Sequence, residues 1–231
     1  MRLSGLLLAA LLALGLLPTA ARSSQDDPGG GSSALYSIDL GSGAARRIGQ
    51  IGSGEAVVGL AVVQADGPLN MLYALTADGA LLRFLETLPG GVVDRTAIRG
   101  VRDGERLIGI DVRPATGELF AISDASVVYV IDPGRGVATA SGAPFEPAIE
   151  AANLGFDFNP TVDRIRVVVG TGQNLRLNPE TGQVGANPDT GEPTIDGRLA
   201  YAGGDANEGA QPLVAAAGYT NSVPDAEATA L

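Results

Sequence analysis

Beyond residue 34 the hydrophobic positions fall in short runs of four to six, each closed by a glycine-, proline- or Asx-rich break. Leu107 to Val112 is one such run, interrupted by Asp111, and Leu119 to Ile122, Val127 to Ile131 and Val137 to Ala140 follow it. Runs of this length with β-branched and aromatic residues between turn signals predict strands. The breaks have matching chemistry. Pro114 presets the first position of a turn and Gly117 supplies positive φ, and Asp132-Pro-Gly-Arg-Gly136 is a second turn of the same kind. The pattern then recurs as Gly155 to Phe158, a turn at Pro160, Ile165 to Val169, Asn174 to Leu177, and a turn holding Pro179 and Gly182. A helical period is hardly visible outside the first 21 residues.

The recurrence has a fixed spacing. Tyr129-Val-Ile-Asp-Pro133 maps onto Leu175-Arg-Leu-Asn-Pro179, and Gly136 onto Gly182, at an offset of 46. Tyr36-Ser-Ile-Asp39 and Leu82-Arg-Phe-Leu85 hold the same phase, so the markers stand at 36, 82, 129 and 175. Four short strands per period of about 46 residues is the proportion of a propeller blade. The expected fold is therefore all-β, a β-propeller-like repeat of four-stranded units over residues 34–231. An insertion at Gly185 to Arg198 lengthens the last period, and Leu213 to Tyr219 is the last strand candidate. Leu231 falls at the phase of a new strand. Two outcomes stay open: the strand at Leu35 completes this last unit, or the chain stops short of a strand.

Several of these segments together resemble one family. Leu72-Tyr-Ala-Leu-Thr, Leu107-Ile-Gly-Ile-Asp-Val-Arg-Pro-Ala-Thr-Gly-Glu-Leu119, Gly155-Phe-Asp-Phe-Asn-Pro-Thr-Val-Asp-Arg-Ile-Arg-Val167 and Thr171-Gly-Gln-Asn-Leu-Arg-Leu-Asn-Pro179 are similar to the bacterial domain-of-unknown-function 4394 family. The likeness runs from about Leu35 to Leu231, with its most specific stretch from Phe156 to Pro179. It implies an exported protein with propeller-like repeats, and it carries no activity or catalytic residue. Members often continue through a further Leu-Tyr-x-Ile-Asp strand, which would leave this chain incomplete at its C-terminus.

Met1-Arg2, the apolar run Leu3 to Leu17 and the small residues Pro18 to Ala21 have the layout of a secretory signal peptide. Residues 1–21 are expected to be cleaved, and 22–33 (RSSQDDPGGGSS) to form a flexible lead-in. The expected location is secreted or periplasmic, without stable membrane insertion after cleavage. All 15 basic residues are Arg, against 26 acids, and one of the 15, Arg2, leaves with the leader. So acidic a chain disfavours nucleic acid as a partner. The absence of His, Cys and Lys removes Ser-His-Asp and Cys-His triads, zinc sites of imidazole or thiolate, Schiff bases and the phosphate-loop lysine. Carboxylate chemistry and oxygen-ligand metals remain.

Asp111 and Asp157 occupy equivalent positions in two units. They read either as hard oxygen ligands for Ca²⁺ or as acids that accept turn N–H groups once per unit; repetition favours the second. Asp163, Arg164 and Arg166 read as an exposed charged ladder or as partners of Asp157. Alternation puts Asn174, Arg176 and Asn178 on one strand face and Leu175 and Leu177 on the other. That polar face suits a carboxylate, phosphate or sugar ligand, and equally a solvated edge. Asp189 and Asp196 in the insertion read first as turn residues and second as metal ligands. No cofactor is expected, with Ca²⁺ the one cation that the acids would suit. The expected function is an exported binding or interaction module for a protein or carbohydrate ligand. The alternative is a carboxylate-based hydrolase or lyase.

Overall fold

The computed structural model describes residues 6–9, 31–63, 69–185 and 196–231. The rest of the leader, the lead-in up to residue 30, and Asp189 lie outside the described residues.

Among the described residues fourteen strands form four antiparallel sheets. The first sheet has the order β1-β2-β3, from Leu6–Ala9, Ala34–Asp39 and Ala45–Gln50. The second has β4 to β7 in chain order: Val57–Val63, Met71–Thr76, Ala80–Leu85 and Asp94–Ala97. The third likewise has β8 to β11: Leu107–Val112, Leu119–Ser123, Val128–Asp132 and Val137–Ala140. The fourth has three strands, β12 Leu154–Asn159, β13 Arg164–Val169 and β14 Asn174–Leu177. Among the described residues no helix is long and apolar enough to cross a membrane.

The turns repeat as faithfully as the strands. Asp132 accepts the N–H groups of Gly134 and Arg135 on its side chain and that of Gly136 on its carbonyl. Asn178 does the same for Glu180 and Gly182, and Asp39 for Ser42 and Gly43. Each is an Asx turn that ends one strand and reverses the chain into the next. Gly136 and Gly182 close these turns at φ 64° and 67°, where a Cβ would be strained. In the Pro114 turn Gly117 takes φ 75°, and at the matching place after Pro160 the chain uses Asp163 at φ 48°.

Alternation along the strands sends both faces of the second and third sheets, and one face of the first and fourth, into cores between neighbouring sheets. Leu35, Ile51, Leu72 and Phe84 join the first sheet to the second. Leu75 and Leu81 pack with Ile110, Tyr129 and Ile131 between the second and third. Phe120, Val128 and Phe145 pack with Phe156, Phe158, Val167, Leu175 and Leu177 between the third and fourth. In that last core the rings of Phe120 and Phe158 meet edge to face at 5.1 Å.

Four sheets with three cores make an open row. A closed ring would need a fourth interface, between β12–β14 and β1–β3, and no core cluster joins these sheets among the described residues. The propeller expectation is therefore wrong, although the all-β repeat stands. A period reports the unit and its packing on the next unit. Closure depends on the small rotation accumulated between units and on contacts between distant residues, which a period does not contain. Among the described residues not every unit has four strands: the first and fourth sheets have three, the fourth extended by a single bridge between Leu177 and Val184. Leu213 to Tyr219 is not a strand but an irregular segment.

Candidate functional site

β4, β8 and β12 are each the edge strand of their sheet, and they lie against one another in sequence, β4 on β8 and β8 on β12. Glycine permits the approach. A Cβ on Gly109 would come within 3.0 Å of Phe156 Cβ, and one on Gly155 would run into the backbone and side chain of Ala217. Edge strands have outward N–H groups with no ladder partner, and these need acceptors.

Two aspartates supply them. Asp111, on β8, accepts the N–H of Phe158 on β12 at 2.8 Å. Asp157, one residue before Phe158, accepts the N–H of Tyr219 at 2.7 Å. Each acid thus ties its own unit to the next stretch of chain, and Tyr219 stands to β12 as Phe158 stands to β8. The two carboxyls also influence each other's titration. Burial pushes Asp111 up to about 7, against the lowering effect of the N–H groups of Phe158 and Val112. Burial and then the Asp111 charge push Asp157 well above the usual carboxylate range. The charge of one acid disfavours that of the other, so the pair titrates as a unit above the ordinary carboxylate range.

Beside this pair lies a second network, on the outer face of the fourth sheet. Register sets Asp157 opposite Arg166, and Arg166 opposite Arg176. Two cations directly across a ladder repel, and Asp196 resolves this by lying between them. It accepts Arg176 at 3.0 Å from Nε and 2.7 Å from a terminal nitrogen, and Arg166 as well. Burial works to raise Asp196, but the hydrogen bonds from Arg176 and Arg166 outweigh it and hold the carboxyl below its ordinary range. Arg166 also donates to Asn174 Oδ1 at 2.7 Å and, through Nε, to the Tyr219 hydroxyl at 3.2 Å. It turns away from Asp157, its cross-strand neighbour. The side chain of Arg166 is 15% exposed and that of Arg176 42%, so Arg176 is the member that faces solvent.

The structure thus brings Asp111 and Asp157 together, and Asn174 and Arg176 beside them on one face. Asn178 lies apart, in the turn after β14. Asp163 is not a ladder residue: it pairs in a fork with the buried Arg113, at 2.9 and 2.5 Å, and Glu180 reaches the same guanidinium at 2.6 Å. Arg113 therefore clamps the Pro114 turn to the Pro160 and Pro179 turns. The sequence contained no sign of this clamp, because its members are 50 and 67 residues apart and obey no repeat offset. Tyr219 was equally hidden, since the long last period moved it out of phase with Phe158.

The pair does not fit a cation. Both acids accept backbone N–H groups, where Ca²⁺ needs six or more converging oxygens. Among the described residues no three acids gather to hold a metal ion.

Fold and site together describe an all-β repeat protein in which part-buried acids tie one unit to the next stretch of chain. The chain belongs to the family described as "Domain of unknown function (DUF4394)", whose model matches residues 80–231. No curated protein matches it. Among solved structures it is similar to a protein of unknown function from Bacteroides thetaiotaomicron, with TM-score 0.51 and 16% identity over 86% of this chain and 53% of that one. It is also similar to the glutaminyl cyclase of Myxococcus xanthus, with TM-score 0.45 and 16% identity over 66% of this chain and 60% of that one. The chain thus spans little more than half the length of either. At such identity the first likeness speaks for fold alone and the second carries no argument about chemistry.

Proposed function

We propose that the protein is a binding or interaction module that works outside the cytoplasm, secreted or periplasmic, and that its ligand meets the outer face of the fourth sheet at Asn174 and Arg176. The observation that supports this reading is the division of labour between the two networks. Asp111 and Asp157 are occupied in joining one unit to the next. Arg176 is half-exposed, oriented by Asp196, and offers a guanidinium edge suited to a carboxylate or sulfate on a sugar or peptide. The test is a screen of immobilised protein against acidic and neutral oligosaccharides and acidic peptides, with Arg176→Ala beside it. The reading expects an acidic probe to bind and Arg176→Ala to lose it. Equal binding by the variant would move the site elsewhere.

A second reading, a carboxylate-based hydrolase or lyase, is favoured by one observation, the raised carboxyl pair, since acid–base catalysts have such pKa values. Turnover of a glycoside or uronate polymer that disappears in Asp157→Asn would support it over the binding module.

A further inference from the structure

The outer face of the fourth sheet already holds a piece of peptide. Residues 196–199 have no strand or helix of their own and lie against the β13–β14 hairpin. Their contacts run in order along the chain. The Asp196 carboxylate takes a two-pronged contact from Arg176, at 3.0 and 2.7 Å, and a further hydrogen bond from Arg166. The carbonyl of the next residue, Gly197, accepts Asn174 Nδ2 at 3.2 Å. Arg198 follows at the rim, bonded to Glu150 and to the Thr171 carbonyl. The Leu199 N–H then donates to the Gly172 carbonyl at 2.9 Å.

These contacts read a peptide. Two of them recognise main chain, which every sequence has, and the fork from Arg176 recognises a carboxylate. Arg166 donates to Asn174 Oδ1, which aims the amide nitrogen at the Gly197 carbonyl. A Cβ at Gly197 would meet nothing within 4 Å, so the position after the acid has room for other side chains. The ladder has no need of Arg166 and Arg176 for its own sake. A neutral residue at either position would keep the backbone pairing and remove the repulsion between them.

We propose, building on this face as the binding surface, that Arg166, Arg176 and Asn174 form a receptor for an extended acidic peptide of a partner protein, and that Asp196 is its internal stand-in, displaced when the partner's acid arrives. The order of carboxylate, carbonyl and N–H along the hairpin is that of a polypeptide, which favours a peptide over a uronate sugar. Displacement is feasible because Arg176 is 42% exposed, and ion pairs open to solvent hold weakly. Asp196 competes from within the same chain, so the site is open for only a fraction of the time and its apparent affinity is lowered by that fraction.

The experiment is fluorescence anisotropy of a labelled, end-capped hexapeptide with the sequence of residues 196–201 (DGRLAY), titrated with the full chain as wild type, Asp196→Ala and Asp196→Asn. Asp196→Asn keeps a neutral acceptor between the two arginines and carries the test where Asp196→Ala does not fold, as circular-dichroism melting reports. Both variants should bind the peptide about tenfold or more tightly than the wild type. The same peptide with Asn in place of its Asp should not bind, and adding Arg176→Ala to Asp196→Asn should abolish capture. Equal affinity in the wild type and the Asp196 variants, with binding still lost in Arg176→Ala, overturns the stand-in and leaves the binding face in place. Capture of an oligogalacturonate by the Asp196 variants without capture of the peptide overturns the peptide receptor. Failure of every form to hold any acidic probe overturns both the receptor and the binding face.

Discussion

The carboxyl pair makes the stability of the whole fold depend on pH, and Asp111→Asn isolates the larger part of that dependence. In the unfolded chain both acids titrate near about 3.9. In the fold burial moves Asp111 up to about 7 and Asp157 well above its ordinary value. The folded state therefore binds more protons than the unfolded state, and stability falls as pH rises. The contribution is complete below about pH 4 and drains as pH rises to the folded value of Asp111 near 7, with Asp157 adding a loss of the same sign. A carboxyl moved from 3.8 to about 7 corresponds to about 4 kcal/mol. For a domain of this size that is on the order of 10 °C in melting temperature. Acids held below their ordinary range, such as Asp163 and Asp196, act with the opposite sign and lose their contribution only as pH falls below about 4. The window from about pH 5 to pH 8 thus belongs to the pair. Thermal unfolding followed by circular dichroism should show the wild type melting markedly lower at pH 8 than at pH 5. Asp111→Asn, which removes the acid that carries this shift, should lose most of that difference and melt above the wild type at pH 8. A wild-type melting temperature that is flat across this window, or an unchanged slope in the variant, would refute the reasoning.

Three further outcomes follow from the packing. Phe158→Ala removes a buried ring from the core between the third and fourth sheets and its edge-to-face contact with Phe120, and should cost about 3–5 kcal/mol in urea unfolding. Arg113→Ala strands Asp163 and Glu180 at the turn clamp; it should cost about 2 kcal/mol or more, and Arg113→Lys should restore little, since an ammonium cannot make the two-pronged contact. Arg176→Ala breaks an ion pair that is nearly half-exposed, so it should change stability by about 1 kcal/mol or less while abolishing capture of an acidic probe, which separates a binding role from a structural one.

Local structure was legible wherever a rule of short range governs it. Alternation placed Leu175 and Leu177 in the core and Asn174 and Arg176 on the outer face, and Asx-Pro-x-x-Gly spacing placed the turns that Asp132 and Asn178 close. Repetition also made Asp111 and Asp157 equivalent, which hinted at a structural duty once per unit. What each acid bonds to was not legible. Phe158 lies 47 residues beyond Asp111, and Tyr219 lies 62 beyond Asp157, across the stretch that lengthens the last period. That the two acids influence each other depends on the approach of β8 to β12, which glycines permit but do not announce. The ring was misread for a related reason: identical neighbour contacts are compatible with a closed circle and with an open row.

The raised titration of Asp111 and Asp157 underlies the pH dependence of stability, and carboxyl carbon chemical shifts observed by NMR through a pH titration test it directly. One aspartate signal should show a midpoint near 7 and a second should titrate well above the ordinary carboxylate range, and in Asp111→Asn the remaining one, from Asp157, should titrate at a lower pH because the Asp111 charge no longer raises it. If every aspartate carbon titrates near about 4, the pair is not held as described, and the pH dependence of stability falls with it.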